Sequence, residues 1–301
     1  MAWRAAQLAD LTGRRAVVTG ANSGIGFHTA LELARAGAQV TLACRRAEAA
    51  HQAAGRIRAQ VPGAQVELGR LDLASQQSVA TFAAGWSGPL HLLVNNAGVM
   101  APRHWQQTRD GYELQFGANH LGHFALTGRL LPALIAAGDA RVVTVASLAH
   151  RGGGPDVVAG NPPQDYSPQR AYSNSKLANL LFALELQRRA SGGLTSAAAH
   201  PGLSNTNLFK GPEGMGANPV IRIGGRLVGP LFLQTAAAGA LPTLYAATVA
   251  EPGSYTGPQW PGEVRGAPGP ARVSALAANP ELAGQLWDLS EELTGVAFRF
   301  D

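Results

Sequence analysis

The first two hundred residues alternate between short apolar runs and longer amphipathic segments, and this alternation constrains the fold most strongly. The apolar runs lie at 14–20, 38–44, 64–70, 90–96, 140–147 and 194–200. The segments between them repeat apolar residues every three or four positions, as helices do, over about 24–37, 47–60, 75–85, 112–136 and 171–190. This spacing predicts an α/β fold, with a doubly wound parallel sheet and helices on both faces.

No linker and no repeat of fixed period divides the chain, which indicates one domain over residues 1–301. Two long stretches rich in glycine and proline interrupt the alternation, at about 151–169 and about 203–235. Long loops in a compact domain often cover a functional site. We therefore predict an insertion beside the site at about 151–169 and a segment that covers the ligand at about 203–235.

Charge and cysteine content narrow the kinds of partner. The formal net charge is +5, but no run of five like charges occurs, which argues against nucleic acid as a partner. Cys44 is the only cysteine, so an intrachain disulfide is excluded and a reducing compartment is expected. No apolar stretch reaches the ~18 residues of a membrane span, and the first residues lack the apolar core of a signal peptide. We therefore predict a cytoplasmic protein, without a membrane span, that binds a small anionic ligand.

A glycine-rich turn joins the first predicted strand to the first predicted helix. It reads TGANSGIG over 19–26, and the residues expected to approach a phosphate are Gly20, Asn22, Ser23, Gly24, Ile25 and Gly26. Glycines allow a tight turn and close approach of the backbone, while amide groups at a helix N-terminus attract a pyrophosphate. The turn predicts a dinucleotide site, and the alternative is an ordinary connection between a strand and a helix.

The end of the second predicted strand bears on which dinucleotide is bound. Folds that prefer NAD place an acid there, about 20 residues after the glycine turn, to hold the ribose 2′-hydroxyl. This chain has no acid in TLACRR but carries Arg45 and Arg46. A guanidinium can bind a 2′-phosphate through two hydrogen bonds. We therefore predict NADP(H) in preference to NAD(H), with two merely solvated arginines as the alternative.

A tyrosine and a lysine lie four residues apart on a predicted helix, in the segment AYSNSKLANLLFALELQRR. Among 24 basic residues only Lys176 and Lys210 are lysines, so an ammonium here calls for a reason. Tyr172 and Lys176 would share one face of the helix. A phenol there can act as general acid or base, and a nearby cation favours its phenolate. The alternative is an apolar core helix in which the pair has no chemical role.

Six motifs in order resemble the short-chain dehydrogenase/reductase superfamily. They are TGxxxGIG at 19–26, NNAG at 95–98, the asparagine of GANHLGHF at 117–124, the serine at 147, YxxxK at 172–176 and PGxxxT at 201–206. The residues around them, including ACRR, NNAGVM and SLAHR, are similar to the branch that holds retinol dehydrogenases and bacterial NADP-dependent oxidoreductases. The resemblance implies a Rossmann fold and hydride transfer between NADP(H) and a carbonyl or alcohol substrate.

The resemblance also implies roles for four catalytic residues. Tyr172 would exchange a proton with the substrate oxygen, and Ser147 would donate a hydrogen bond to that oxygen. Lys176 would bind the nicotinamide ribose and lower the pKa of Tyr172. Asn119 would hold a water that links Lys176 to solvent.

Further residues are implied to contact the cofactor. Asp72 and Leu73 would contact the adenine, while Asn95 would support the central sheet. The residues implied to line the adenosine ribose pocket or the nicotinamide pocket are Asn96, Ala97, Gly98, Tyr172, Lys176, Pro201, Gly202 and Thr206. Apolar residues in the covering segment, among them Leu208, Phe209, Met215 and Leu227, favour a lipophilic substrate.

The chain departs from the common pattern of this superfamily in two places. Ser147 and Tyr172 are separated by HRGGGPDVVAGNPPQDYSPQR, an insertion that the retinol-dehydrogenase-like branch tolerates. The N-terminal membrane anchor of several animal members is absent, which argues against a retinoid held in a bilayer. Members often pair through helices that correspond to 112–136 and 171–190, which is compatible with a homodimer or homotetramer.

Two other functions compete with the NADP(H)-dependent oxidoreductase. A catalytically silent protein that senses dinucleotides would be expected to lack Tyr172, Lys176 or Ser147, and all three are present. A serine hydrolase would place G-x-S-x-G around Ser147, whereas the sequence there is VASLA. Four histidines lack the spacing of metal ligands, so we predict packing or loop roles and no metal for His120, His123, His150 and His200.

Overall fold

The computed structural model describes residues 3–164, 166–191, 193–204 and 233–300. They form one sheet of eight strands in the order β3-β2-β1-β4-β5-β6-β7-β8. The strands are β1 Arg15–Thr19, β2 Gln39–Cys44, β3 Val66–Arg70, β4 Leu92–Asn95, β5 Arg141–Val145, β6 Thr195–Ala199, β7 Tyr255–Pro258 and β8 Pro268–Pro270. Neighbouring strands are parallel except β7 and β8, which are antiparallel. The predicted α/β fold with a parallel sheet is confirmed.

The first six strands lie within the six predicted apolar runs. Successive side chains of a strand point to opposite faces, and both Val17 and Val18 of β1 are fully buried. Helices therefore cover the sheet on both sides, as near-continuous apolar strands require. The sequence analysis did not predict β7 and β8, because YTGP and PGP are short and resemble turns.

Within the described residues, eight α-helices surround the sheet. They are α1 Gly24–Arg35, α2 Ala47–Gln60, α3 Gln76–Ala84, α4 Leu114–Phe116, α5 Gly122–Ile135, α6 Pro168–Arg189, α7 Ala236–Thr248 and α8 Pro280–Thr294. α1, α2 and α7 pack on one face of the sheet. The other face carries α5, and α6 and α8 pack beside it. Within the described ranges no helix has the length and apolarity that crossing a membrane requires.

Sequence signals at its first turn explain where the long helix α6 begins. The Ser167 side chain accepts a hydrogen bond from the backbone N–H of Arg170, and Pro168 occupies the first helical position. A serine cap followed by proline is a typical helix start. The serine side chain satisfies a free backbone N–H, and proline has no N–H that would need a partner. This start fixes the positions of Tyr172 and Lys176 on the second and third turns of α6.

The strand order reverses direction beside β1, whose neighbours are β2 and β4. α1 follows β1 on one face, and the segment after β4 leads to α5 on the other face. In open α/β sheets this arrangement opens a crevice at the carboxyl ends of the strands, where ligands bind. The glycine turn after β1 and the NNAG segment after β4 both lie at this crevice.

The last helix and the residues after it cover the two long helices of the second face. The ring of Trp287 in α8 stacks 5.8 Å from the ring of Phe182 in α6. The chain then crosses α5 at Gly128, where an added Cβ would lie 2.6 Å from Val296 and 2.8 Å from Phe298. The resemblance implied pairing of subunits through α5 and α6, and the structure places the chain's own C-terminus there.

Candidate active site

The glycine turn after β1 requires glycine at two positions for different reasons. Gly20 has φ +66°, a left-handed conformation that side chains with a Cβ rarely adopt. Gly26 has no such angle, but an added Cβ would lie 2.4 Å from Asn96 Nδ2 and 2.7 Å from the Gly20 carbonyl oxygen. The first turn of α1 is therefore packed directly against the loop before it.

The NNAG segment after β4 holds the glycine turn in place. The hydroxyl of Thr19 accepts hydrogen bonds from the backbone N–H groups of Asn96 and Ala97, each at 2.9 Å. The Asn96 side chain donates to the Thr19 carbonyl at 2.7 Å. The Asn95 side chain donates to Thr127 Oγ1 in α5 at 3.0 Å, as its expected role in supporting the sheet requires. Asn96 thus holds the glycine turn by hydrogen bonds but does not line the cleft.

A cleft of about 680 Å³ opens at the carboxyl ends of β1, β2 and β4. The predicted cofactor residues that line it are Gly20, Asn22, Arg45, Asp72, Leu73, Ala97 and Gly98. Arg46 lies outside this lining, exposed, at the start of α2. Ser23, Gly24, Ile25 and Gly26 form the end of the turn and the start of α1, also outside the lining.

The residues on one side of the cleft were not predicted from the sequence. They are Pro102, Arg103, His104, Gln106, Gln107, Thr108 and Arg109, from the segment between β4 and α4. Two of these side chains are arginines, so three arginines including Arg45 border a single cleft. The signal was the cationic stretch APRHWQQTR directly after NNAGVM, and it identifies no site without knowledge of where that stretch runs.

Lys176 lies under the NNAG segment. Its side chain is only 4% exposed, and Nζ donates a hydrogen bond to the Val145 carbonyl at the end of β5, at 3.1 Å. Nζ lies 5.9 Å from the ring centroid of Tyr172, and an added Cβ on Gly98 would lie 3.5 Å from Nζ. The structure thus brings the predicted tyrosine and lysine to the same end of β5, next to the cleft.

Asn119 joins the segment after β4 to α6. It lies in a π-helical turn, Gly117–Leu121, that interrupts the predicted helix between α4 and α5. Its side chain donates to the Val99 carbonyl at 2.9 Å and accepts from the Val99 N–H at 2.7 Å. It also donates to Ser175 Oγ at 3.0 Å, one residue before Lys176. Such turns often occur at functional sites. Here the turn allows the Asn119 amide to contact Val99 after β4 and Ser175 in α6.

His123 connects Asn119 to the glycine turn. Its Nδ1 lies 2.9 Å from the Asn119 carbonyl oxygen, and its Nε2 lies 2.9 Å from Thr19 Oγ1. The carbonyl oxygen can only accept, so Nδ1 carries the proton. Burial lowers the pKa of His123 to about 4, which keeps the ring neutral. The predicted packing role of this histidine therefore includes two specific contacts.

Ser147 and Tyr172 are neighbours in space despite the insertion between them. Ser147 begins a 3₁₀ turn after β5, and its Oγ accepts from the N–H of Ala149 at 3.2 Å. The side chains of Ser147 and Tyr172 are hydrogen-bonded, which lowers the pKa of the phenol. Burial acts in the opposite direction and dominates, so the pKa of Tyr172 is raised to about 12. Lys176 does not contribute to this shift, so the expected lowering of the Tyr172 pKa by Lys176 is not found, and burial lowers the pKa of Lys176 itself to about 8.

The insertion is fixed to the start of α6 by a buried carboxylate. Glu113 accepts hydrogen bonds from the Tyr166 hydroxyl at 2.9 Å and from Asn161 Nδ2 at 3.2 Å. Asn174 of α6 donates to Asn161 Oδ1 at 3.0 Å and accepts from the Gly154 N–H at 3.0 Å. The described residues of the insertion are therefore hydrogen-bonded to Glu113 and to the start of α6.

Beyond β6 the chain enters the segment predicted to cover the ligand. The Pro201 carbonyl accepts from Ser204 Oγ at 2.7 Å and from Gln234 Nε2 at 2.6 Å, which ties the two ends of that segment together. Gly202 has φ +61°, and an added Cβ would lie 2.4 Å from the Val264 carbonyl oxygen. Thr206 and the apolar residues predicted to contact substrate lie outside the described residues.

Comparison with known proteins gives a consistent result. A model of the short chain dehydrogenase family matches residues 14–213. Retinol dehydrogenase 13 from Homo sapiens is 40% identical over 296 residues, which cover 96% of this chain and 86% of the relative. Retinol dehydrogenase 12 from Homo sapiens is 39% identical over 291 residues, which cover 95% of this chain and 88% of the relative.

Two solved structures resemble this one. A crystal structure of an uncharacterized protein from Mycobacterium paratuberculosis has a TM-score of 0.82 at 42% identity and covers 99% of this chain and 100% of that chain. A protein described as an NAD(P)-dependent gluconate 5-dehydrogenase from Beutenbergia cavernae, with NADP bound at low occupancy, has a TM-score of 0.62 at 26% identity. That similarity covers 79% of this chain and 91% of the other.

Proposed function

Since this chain belongs to the short chain dehydrogenase family of oxidoreductases, which act on CH–OH or C=O groups, we propose that it is NADP(H)-dependent. It transfers a hydride between the nicotinamide and a carbonyl or alcohol substrate, with Tyr172 as general acid and base. The observation that carries this proposal is the meeting of Ser147, Tyr172 and Lys176 at the end of β5, beside the glycine turn.

The residues of the crevice fit a dinucleotide. Gly20 has a left-handed backbone and Gly26 has no room for a Cβ, while Asn22, Asp72 and Gly98 line a cleft large enough for part of such a ligand. The amide groups at the start of α1 suit the pyrophosphate, and Lys176 lies where it would reach the nicotinamide ribose. When bound, the nicotinamide supplies or accepts the hydride.

The side chains of this chain handle the proton. In reduction, the Tyr172 hydroxyl donates its proton to the substrate oxygen, and in oxidation the phenolate takes a proton from the alcohol. Ser147 donates a hydrogen bond to the same oxygen and stabilises the charge that develops there. Lys176, buried and cationic below pH about 8, would bind the nicotinamide ribose, and its charge together with that of an oxidised nicotinamide would favour the phenolate.

The preference for NADP(H) is proposed from Arg45, which lines the cleft where the 2′-phosphate of the adenosine would lie. Arg103 and Arg109 border the same cleft and add positive charge. An acidic side chain at position 45 would repel the phosphate and would accept hydrogen bonds from a 2′-hydroxyl instead.

Binding titrations test this preference, with NADPH and NADH followed by protein fluorescence. We expect Arg45→Asp to weaken NADPH binding about 10- to 100-fold, the loss of a charge-assisted hydrogen bond. Arg46→Asp is the matched control, because it makes the same charge change one residue away and outside the cleft. Equal effects of the two variants, or a wild-type preference for NADH, would contradict the proposal.

For the substrate, we propose a lipophilic carbonyl compound or alcohol of the kind named in the relatives, which are called retinol dehydrogenases. The test is NADPH oxidation with three probes, all-trans-retinal, nonanal and 4-nitrobenzaldehyde, compared with a polar ketose. Turnover of the lipophilic probes that is abolished by Tyr172→Phe supports the proposal. NADPH binding without turnover of any probe would favour the dinucleotide-sensing alternative.

We also propose a cytoplasmic location, on the single cysteine of the sequence.

A further inference from the structure

Five polar side chains form a cluster behind Ser147 that the mechanism above does not use. This rear cluster consists of His150, Arg151, His200, Tyr255 and Glu263. Its members come from the turn after β5, the end of β6, the start of β7 and the loop between β7 and β8. His150, His200 and Tyr255 are at most 3% exposed.

Two members of the rear cluster contact the main-chain carbonyl of Ser147. His150 Nδ1 lies 2.7 Å from this oxygen, and the Tyr255 hydroxyl donates to it at 3.3 Å. Since a carbonyl oxygen only accepts, His150 carries its proton on Nδ1. Burial lowers the pKa of His150, so its ring is neutral and Nε2 has no proton. Nε2 is buried without a hydrogen-bond partner among the described residues.

Glu263 ties the rear cluster together. One carboxylate oxygen lies 2.7 Å from an Arg151 nitrogen and 3.2 Å from His200 Nε2, and the other accepts from the Arg272 N–H at 3.1 Å. Glu263 has φ +58°, a conformation that is costly for a residue with a side chain and persists only where its surroundings enforce it. The carboxylate thus connects three loops at the carboxyl edge of the sheet.

We propose that Tyr255 and His150 are positioning residues for the reaction. They hold the Ser147 peptide group, which directs the Ser147 hydroxyl toward Tyr172 and the substrate oxygen. Glu263 binds Arg151, the residue after His150, and lies 3.2 Å from His200, whose ring centroid is 5.1 Å from that of Tyr255. This inference rests on the proposed function, because it assigns a role to groups that act through Ser147.

The Ser147 carbonyl already accepts from the His150 backbone N–H at 3.0 Å, and the two side-chain donors add to that bond, which distinguishes their role from ordinary core packing. An apolar core would be served equally by phenylalanine at 255, and a lone donor would already satisfy the Ser147 oxygen. The charged and titratable groups around the Tyr255 hydroxyl are His150, Glu263, Arg151 and Tyr172. The hydrogen bond from Ser147 lowers the pKa of the Tyr172 phenol. A change in how Ser147 contacts Tyr172 would therefore change this pKa.

The test compares Tyr255→Phe with Tyr112→Phe. The Tyr112 hydroxyl also donates to a carbonyl, that of Leu293, but away from Ser147, so this variant controls for loss of a tyrosine hydroxyl. The probes are 4-nitrobenzaldehyde for reduction and 4-nitrobenzyl alcohol for oxidation. We expect Tyr255→Phe to lower kcat about fivefold or more and to leave KM and the NADPH dissociation constant within about twofold.

The pH profile adds a measurement that a purely structural role would not change. Oxidation needs the Tyr172 phenolate, so its rate rises with pH through the apparent pKa of that group in the complex with NADP⁺, where the positive nicotinamide would lower the pKa from about 12. A weakened hydrogen bond from Ser147 raises this pKa, and in Tyr255→Phe the acid limb moves up by about half a pH unit or more. Tyr112→Phe leaves the limb where it is.

A second pair of variants tests His150 by rescue. His150→Asn keeps an N–H donor near the place of Nδ1, whereas His150→Leu removes it. The proposal expects clearly greater kcat for the asparagine variant, with the same NADPH affinity for both.

Some outcomes overturn this inference alone. If Tyr255→Phe matches Tyr112→Phe in kcat and pH profile, or changes only KM, then Tyr255 does not act through Ser147. If wild type binds NADPH but oxidises or reduces no probe, the proposed function fails, and this inference fails with it.

Discussion

Lys176 is the residue at which activity and stability oppose each other. It is 4% exposed, and burial lowers its pKa from the ordinary 10.5 to about 8. At pH 7 the folded protein therefore contains a buried ammonium that would be better solvated in the unfolded chain. The carbonyl of Val145 and the ring of Tyr172 offset part of this cost. The remainder is the stability that the site gives up to keep a cation beside the phenol.

Lys176→Met is expected to raise the free energy of unfolding by about 1 to 3 kcal/mol at pH 7 while abolishing turnover. The sign follows from proton binding, since between pH 8 and 10.5 the unfolded chain holds a proton on Lys176 that the folded chain has lost. Wild-type stability from this group thus rises with pH through that window, and the advantage of methionine shrinks. Urea unfolding at pH 7 and pH 9.5 measures this. A destabilised Lys176→Met variant at pH 7 would show that burial of the Lys176 ammonium does not cost stability.

At the scale of the element, the insertion at 151–169 is shaped by one carboxylate. Glu113, 2% exposed, accepts from Tyr166, Asn161 and the Phe116 N–H. Removing it leaves buried donors without an acceptor, which costs more than the hydrogen bonds themselves contribute. Because the insertion follows Ser147 and precedes Tyr172, its loosening alters the substrate side of the site and spares the nucleotide cleft.

Glu113→Ala should therefore lower the free energy of unfolding by about 1 to 3 kcal/mol. It should also raise KM for 4-nitrobenzaldehyde and speed trypsin cleavage at Arg151 or Arg170, with NADPH affinity unchanged. Exposed Glu292→Ala on α8 is the control for loss of a glutamate. Cleavage rates that are equal in the two variants would mean that the insertion does not depend on Glu113.

The elements that the sequence predicts are those whose burial leaves a pattern. Six strands are recognisable because both faces of each are packed, and Tyr172 and Lys176 are recognisable because helix spacing places them together. β7 and β8 leave no such pattern in YTGP and PGP. Tyr255 and Glu263 come near the turn after Ser147 only in space, and Arg103 and Arg109 reach the cleft only because of the path after β4. No local pattern carries that information.

At the scale of the whole molecule, the C-terminus completes the second face of the fold. Phe298 lies 4.6 Å from Trp287 and 4.9 Å from Phe124, ring centroid to ring centroid. Without these residues, the absence of a side chain at Gly128 would leave an apolar depression on α5. Residues 296–300 of the same chain thus cover the surface of α5 through which related chains are implied to pair. The exposure of that surface depends on these residues.

Removal of residues 296–301 should lower the free energy of unfolding by about 2 to 4 kcal/mol, as loss of a packed aromatic side chain does. It should also expose the face of α5 and produce self-association that increases with concentration, measured by light scattering after size exclusion. Arg299→Ala, an exposed change in the same tail, should do neither. A full-length chain that already associates through α5, with no further increase on truncation, would contradict this account.

The last strand of the sheet has a consequence for the protein in concentrated solution. β8 is three residues long, and Pro268 and Pro270 have no backbone N–H to donate. At the opposite edge, β3 exposes the charged side chains of Glu67 and Arg70. Open sheet edges are the usual template for strands of other copies, and short proline-bearing or charged edges prevent that pairing. Both ends of this sheet are thereby protected against growth into fibrils, even while the chain is crowded by its neighbours.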